Sequence, residues 1–232
     1  MNGPRLALLN AAHEPADTRR NFRREVPATL VEFHVQSGDL PPDTDYDGFI
    51  VTGSKSAAYG DADWIAETEA WIQEAVDAGL PALGVCFGHQ LLAQALGGTV
   101  EDMGEYELGY RTMEHAEDPV LEGIDREFLA FATHSDRVVE LPDGATKLAW
   151  NEYGIQGFRL GDSVGVQFHP EYDLETAERI AAEKDVPPEQ AAEAKASVTP
   201  ENRERAAMAA LVFENFVAAV EEAAEGSVAP DA

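Results

Sequence analysis

The chain has 232 residues, 16 Lys+Arg against 44 Asp+Glu for a formal net charge of -28, 44% hydrophobic residues and a single cysteine. These values fit one domain with a substantial core, rule out an internal disulfide, and argue against nucleic-acid binding, which needs a basic surface. No apolar run of about 18 residues and no basic leader followed by an apolar run occurs, so a soluble cytoplasmic protein without membrane contact is expected. The charge is spread along the chain, and only four lysines stand beside twelve arginines. Such self-repulsion is tolerated where salt screens it, and the composition predicts a halophile with a high-salt cytoplasm.

Leu6–Leu9 is predicted as a first strand, Thr29–Val35 as a second and Phe49–Val51 as a third, with a short polar helix over Pro15–Arg24. Trp64, Ile65, Trp71, Ile72, Ala75 and Val76 recur at helical spacing; Asp61 or Asp63 is the expected cap, and Gly79 before Pro81 ends the helix. Pro81–Val85 is a short apolar run, and Gln90–Leu96 is again helical, stopped by Gly97 and Gly98. This alternation builds βαβ units on a mostly parallel sheet. From Thr99 to Phe168 the pattern changes to strands separated by turns, the clearest at Pro142-Asp143-Gly144 and Gly161-Asp162, so part of the sheet is expected to be antiparallel. Beyond Pro170 the chain is rich in Ala and Glu, and Pro187-Pro188 and Pro200 divide it into about three helices. Met208, Leu211, Val212, Asn215, Phe216 and Val220 give the last one an apolar stripe that should pack on the sheet. The reading is one domain over 1–224, with C-terminal helices over 174–224 and a frayed tail over 225–232.

Gly84-Val85-Cys86-Phe87-Gly88 joins a predicted buried strand to a predicted helix, the cysteine form of a nucleophile elbow. So sharp a turn strains the nucleophile's backbone, and Gly84 and Gly88 leave room where a Cβ would meet neighbouring backbone. Cys86 would sit at a helix N-terminus, where unpaired N–H groups favour a thiolate. A nucleophile of this kind needs a base steadied by a third group. The apolar run Val164–Phe168 ends in His169-Pro170-Glu171, and the proline forces an extended turn that projects both side chains beyond the strand end. His169 can then deprotonate Cys86 while Glu171 orients the imidazole. A lone cysteine is more often buried filler, so it is the two segments together that point to nucleophilic catalysis.

Gly84-Val85-Cys86-Phe87-Gly88-His89-Gln90-Leu91-Leu92-Ala93 resembles the nucleophile motif of the class I (triad) glutamine amidotransferases, and Gln167-Phe168-His169-Pro170-Glu171 resembles their His-Pro-Glu motif. The resemblance runs from Leu6 to about Tyr172. It implies a three-layer, flavodoxin-like α/β open sheet, mostly parallel with an antiparallel portion, and a Cys86–His169–Glu171 triad. Thr52-Gly53-Ser54 lies where the family has a glycine-rich oxyanion loop, so the Gly53 N–H would join that of Phe87 at a tetrahedral intermediate. Ser54 stands where the family commonly has proline. Gln90 matches a position that contacts bound glutamine. His134-Ser135-Asp136 resembles the segment beside the substrate's amino-acid end, where an acid suits the ammonium. His89 is not the implied base.

The reaction implied is hydrolysis of the side-chain amide of L-glutamine through a cysteinyl thioester, with no cofactor and no metal. Neither a phosphate loop nor a Ser-Gly-Gly-x-Asp-Ser loop is present, so the ammonia would go to a separate ATP-dependent synthetase. Lys55 and Ser56–Asp63 look most like the stand-alone amidotransferases of the guanosine-monophosphate-synthetase type. Two other readings stay open: an independent γ-glutamyl hydrolase or peptidase using the same triad, and a catalytically silent binding or regulatory relative. The 174–224 helices are open between docking surface, lid and solvated cap, and the oligomeric state is open as well.

Overall fold

Short runs buried on both faces make the centre of the molecule, as parallel strands covered by helices require. The computed structural model describes residues 3–227. In chain order the elements are β1 (Arg5–Asn10), α1 (Pro15–Glu25), β2 (Thr29–His34), β3 (Gly48–Val51), α2 (Asp63–Asp77), β4 (Ala82–Val85), α3 (Phe87–Ala95), β5 (Thr99–His115), β6 (Glu127–Glu140), β7 (Thr146–Asn151), β8 (Gly154–Leu160) and β9 (Ser163–Val166). They are followed by α4 (Leu174–Glu183), α5 (Pro188–Ser197), α6 (Pro200–Arg205) and α7 (Leu211–Ser227). The nine strands form one sheet in the order β2-β1-β3-β4-β9-β8-β7-β5-β6. The first five in that order run parallel, and from β9 through β8, β7 and β5 to β6 each neighbour is antiparallel.

The pleat sorts the core into two layers, because alternate side chains of a strand face opposite ways. Leu6 and Leu8 pack with Ile50, Leu83, Val164, Phe22 of α1 and Val212, Phe213, Phe216 and Val220 of α7. Ala7 and Leu9 pack on the other side with Phe49, Ile65 and Ile72 of α2, and Leu91 and Leu92 of α3. A third cluster joins Leu108, Tyr110 and Phe131 of the β5–β6 hairpin to Ala177 and Ala181 of α4 and Ala194 of α5.

The expected strands and the expected stripe on the last helix are present, with local differences. Val35 leaves β2 and opens a 3-10 turn, Val35–Ser37. No side chain caps α2; Asp63 is its first residue and meets the helix dipole there instead. α3 starts at Phe87 rather than Gln90, immediately after the cysteine. The segment after Pro200 is divided by a 3-10 turn, Ala206–Ala210, where Ala206 packs in the hairpin cluster and Ala209 in the α1–α7 cluster. The helices after Pro170 therefore number four, not three, among the described residues. α7 continues to Ser227, and 228–232, within the expected tail, lie outside the described residues.

Phe213 is fully buried and meets the edge of Phe22 at a centroid distance of 5.6 Å, tying the last helix to the first. Phe213→Ala is expected to destabilise the fold by about 3–5 kcal/mol, the usual cost of removing a core aromatic, and a denaturant midpoint measured beside the parent chain checks it.

Candidate active site

The carboxyl ends of β3, β4 and β9 lie side by side at the centre of the sheet, the place where open α/β sheets bind ligands. β4 ends at Val85, and Cys86 follows with φ 56° and ψ -107°, the one non-glycine residue at positive φ among the described residues. Sterics enforce that turn. A Cβ on Gly84 would stand 2.3 Å from the Gly88 carbonyl oxygen, and one on Gly88 would stand 2.1 Å from the Val51 carbonyl oxygen. No side chain fits at either position, so the helix packs its backbone directly onto the strands. The Cys86 N–H donates to the Val166 carbonyl at 2.9 Å, which fixes the elbow to β9.

β9 runs parallel to β4, and three residues beyond its end stands His169, whose N–H donates to the Phe131 carbonyl of β6 at 2.8 Å. Its Nδ1 lies 2.8 Å from Glu171 Oε1, with both side chains buried. Cys86, His169, Glu171 and Gly53 line one cavity together with Thr133, Tyr172 and residues of α1 and α4. Cys86 Sγ lies 3.8 Å from the Thr133 carbonyl. Gly53 approaches so closely that a Cβ there would sit 3.1 Å from His169 Cε1 and 3.7 Å from Cys86 Cβ. Burial pulls the His169 pKa down, but the Glu171 carboxylate and the Cys86 sulfur outweigh it and push it up to about 10.

The glycine loop lacks proline and is tied by side chains instead. Thr52 Oγ1 accepts from the Ala11 N–H at 3.0 Å, and Ser54 Oγ accepts from the Ser56 N–H and from Gln36 Nε2, both at 3.2 Å. Phe87 is the first residue of α3, where backbone N–H groups have no intrahelical partner. Gln90 is buried, and its Nε2 donates to the Asp136 carbonyl at 2.9 Å and to Gln167 Oε1 at 3.1 Å.

His134, Ser135 and Asp136 are not among the residues that line the Cys86 cavity. His134 is buried on the sheet, with Nε2 2.7 Å from Glu107 Oε2. That fully buried carboxylate also accepts from Asn151 at 2.5 Å and from Gln156 at 2.8 Å. Ser135 faces a separate groove with Asp102, Tyr106 and Gln190. Asp136 accepts from the Tyr59 hydroxyl at 2.9 Å, and burial raises its pKa. His89 is fully buried against Phe158, and burial lowers its pKa to about 3, so it is a neutral core ring at neutral pH. Among the described residues no group of three or more His, Cys, Asp or Glu side chains is disposed to hold a metal ion.

Three parts of the cavity carry no motif in the sequence. Tyr172 stacks on His169 at a centroid distance of 4.2 Å and 18° between planes. Arg24 of α1 donates to the Glu171 carbonyl at 2.5 Å and to Asp173 Oδ2 at 2.8 Å, while Asn21 of the same helix donates to Thr176 Oγ1. Asp173 caps α4 through the Thr176 N–H, and Thr176, Arg179, Ile180 and Lys184 form one wall of the cavity. The Arg-Arg pairs of Pro15–Glu25 were the available signal for the α1 clamp, but in the sequence they mark only a polar helix.

Residues 18–185 match the family described as glutamine amidotransferase class-I. The chain belongs to the class-I glutamine amidotransferase family. Within it, the chain is 36% identical over 155 residues to gamma-glutamyl peptidase 5 of Arabidopsis thaliana, covering 62% of each. It is 39% identical over 95 residues to GMP synthase (glutamine-hydrolyzing) of Thermosipho africanus (strain TCF52B), covering 40% of this chain and 18% of that one. The matches thus span less than two thirds of the length of these curated relatives. Among solved structures, a glutamine amidotransferase from Thermotoga maritima aligns with a TM-score of 0.76 at 21% identity, covering 94% of this chain and 99% of that one. A glutamine amidotransferase from Methylobacillus flagellatus aligns with a TM-score of 0.76 at 22% identity, covering 94% of this chain and 95% of that one. At these identities the structures speak for the amidotransferase fold alone.

A histidine whose pKa is raised on folding adds stability that is fully present below its unfolded value near 6.5, and that is lost as pH rises through the folded value of about 10. Glu171→Gln removes the charge that raises it, so the imidazole pKa read by NMR titration of its ring protons is expected to fall by about 1–3 units. An unchanged titration would mean that Glu171 does not act on His169.

Proposed function

We propose that this amidotransferase hydrolyses the side-chain amide of L-glutamine to glutamate and ammonia, with Cys86 as nucleophile, His169 as acid and base, and Glu171 as the group that orients it. The observation that carries the reading is the strained Cys86 elbow sharing one cavity with a buried His169–Glu171 pair at 2.8 Å. The Cys86 sulfur adds to the amide carbon, and the oxygen takes up negative charge toward the Gly53 and Phe87 N–H groups. Preorganised donors of this kind contribute about 3–4 kcal/mol each. The C–N bond then breaks as His169 gives its proton to the departing nitrogen, leaving a γ-glutamyl thioester. A water that surrenders a proton to His169 adds to the thioester, and the sulfur leaves as glutamate forms.

The matches to GMP synthases support a separate synthetase as the acceptor of the ammonia. A second reading, hydrolysis of other γ-glutamyl amides without a partner, is favoured by the longer matches to three gamma-glutamyl peptidases of Arabidopsis thaliana. Both use the same residues. In either case the acidic surface suits a high-salt interior, where the Debye length is about 3 Å at 1 M.

Cys86→Ser should reduce glutamate release from glutamine by at least about 100-fold, because a serine hydroxyl is far less acidic than a thiol; a coupled glutamate assay on both proteins decides it, and retained turnover removes Cys86 from the mechanism. Thermal unfolding followed from 0.1 to about 2 M potassium chloride is expected to shift upward as screening relieves the repulsion among 44 carboxylates. A midpoint that stays level with salt removes the high-salt assignment.

A further inference from the structure

Three contacts fix the His169 ring. Nδ1 lies 2.8 Å from Glu171 Oε1. The Cε1 edge faces Gly53, where an added Cβ would stand only 3.1 Å away. One face is covered by Tyr172, stacked at a centroid distance of 4.2 Å with 18° between planes. With Nδ1 taken, Nε2 is the nitrogen that can exchange a proton with the Cys86 sulfur. Tyr172 is itself held, since its ring meets that of Phe131 on β6 at 5.6 Å, and the Phe131 carbonyl accepts the His169 N–H. A single turn thus carries the base, the carboxylate that orients it and an aromatic ring on its face, all lining the cavity of Cys86.

The stack joins a neutral ring to one that changes charge. Burial, followed by the charges of Glu171 and Cys86, holds the Tyr172 hydroxyl well above its ordinary value of 10, while Tyr106 of β5 acts in the same direction and Arg179 of α4 against it. The tyrosine therefore stays protonated while the imidazole beside it titrates under the influence of Glu171 and Cys86. The face of a neutral aromatic ring attracts a cation, and more strongly where water is excluded. His169 is a cation whenever Nε2 holds a proton: opposite the sulfur before the amide is attacked, and again once the second attacking group, water, has surrendered its proton.

We propose that Tyr172 is a positioning residue of the reaction, whose π face fixes the plane of the His169 ring and stabilises its imidazolium form. The inference rests on the acid and base role given to His169 above. Tyr172 acts through the imidazole and not on the substrate, so its loss is felt in kcat and in the titration of the ring, while KM is spared. The hydroxyl has no part in this, which separates the role from that of a proton donor.

The test compares the parent chain with Tyr172→Phe, which keeps the π face, and Tyr172→Leu, which keeps an apolar side chain without it. Ring-proton NMR reads the His169 titration, and glutamate release from glutamine gives kcat and KM. Tyr172→Leu is expected to lower the imidazole pKa by about 0.5–1 unit and kcat by about 3–10-fold, the scale of one cation–π contact, with KM changed less than about twofold. Tyr172→Phe should match the parent in all three. Denaturant midpoints show that both variants fold, and Tyr172→Met replaces Tyr172→Leu if that variant does not. An imidazole titration in Tyr172→Leu equal to the parent's overturns the inference, and so does a Tyr172→Phe variant as impaired as Tyr172→Leu, because the effect would then belong to the hydroxyl. Absence of Cys86-dependent glutamate release by the parent overturns the proposed reaction and the positioning role with it, an outcome that the parent's own kcat tells apart from the other two.

Discussion

The Val51 carbonyl oxygen occupies the space that a side chain at residue 88 would need. Only glycine there lets α3 start directly on the strand ends, and only glycine at 84 clears the helix's first turn. The consequence is a cysteine held at φ 56°, a conformation that other L residues avoid at a cost of about 1–3 kcal/mol. β3, β4 and β9 must therefore be adjacent and parallel, because the elbow uses a carbonyl of β3 as its floor and the Val166 carbonyl of β9 as its anchor. The rest of the cavity is arranged around that one close contact.

Charge then does what sterics cannot. His169 is buried, and desolvation alone would leave it neutral; the carboxylate of Glu171 and the sulfur of Cys86 reverse this. The turn that carries the pair is held from outside by α1, whose Arg20 and Arg24 reach Asp173 and whose Asn21 reaches Thr176. The same contacts fix the start of α4, so the helix that walls the cavity and the turn that bears the histidine share one anchor. The Tyr172 ring closes the remaining face of the imidazole.

The scarce cations of this acidic chain are not scattered. Arginines take the structural ion pairs, with Arg19 and Arg23 at the largely buried Glu32, Arg159 at Asp118 and Arg179 at Asp17. Their planar guanidinium fits carboxylates in two-point contacts, which a lysine cannot make. Aromatic rings take both cation types, with Arg5 over Tyr46, Arg111 over Tyr153, Lys147 over Trp150 and Lys184 over Tyr106.

The α/β class, the mixed parallel and antiparallel sheet and the candidate nucleophile and histidine were legible from Gly84-Val85-Cys86-Phe87-Gly88 and His169-Pro170-Glu171, because backbone sterics and proline geometry act over a few neighbouring residues. The apolar stripe from Leu211 to Val220 was legible for the same local reason. The place of His134 was not: Glu107 meets it from β5 and is itself held by Asn151 of β7 and Gln156 of β8, and no spacing in the chain announces that they converge. Nor were the α1 clamp or the Tyr172 stack. These depend on which strand lies beside which and on where α4 is laid, choices made by long-range packing. The sequence by itself marked a cysteine elbow and a histidine at a strand end; the tertiary structure alone decided that Glu171 reaches His169 and what surrounds them, since contacts across more than a hundred residues are settled by the core and not by local pattern.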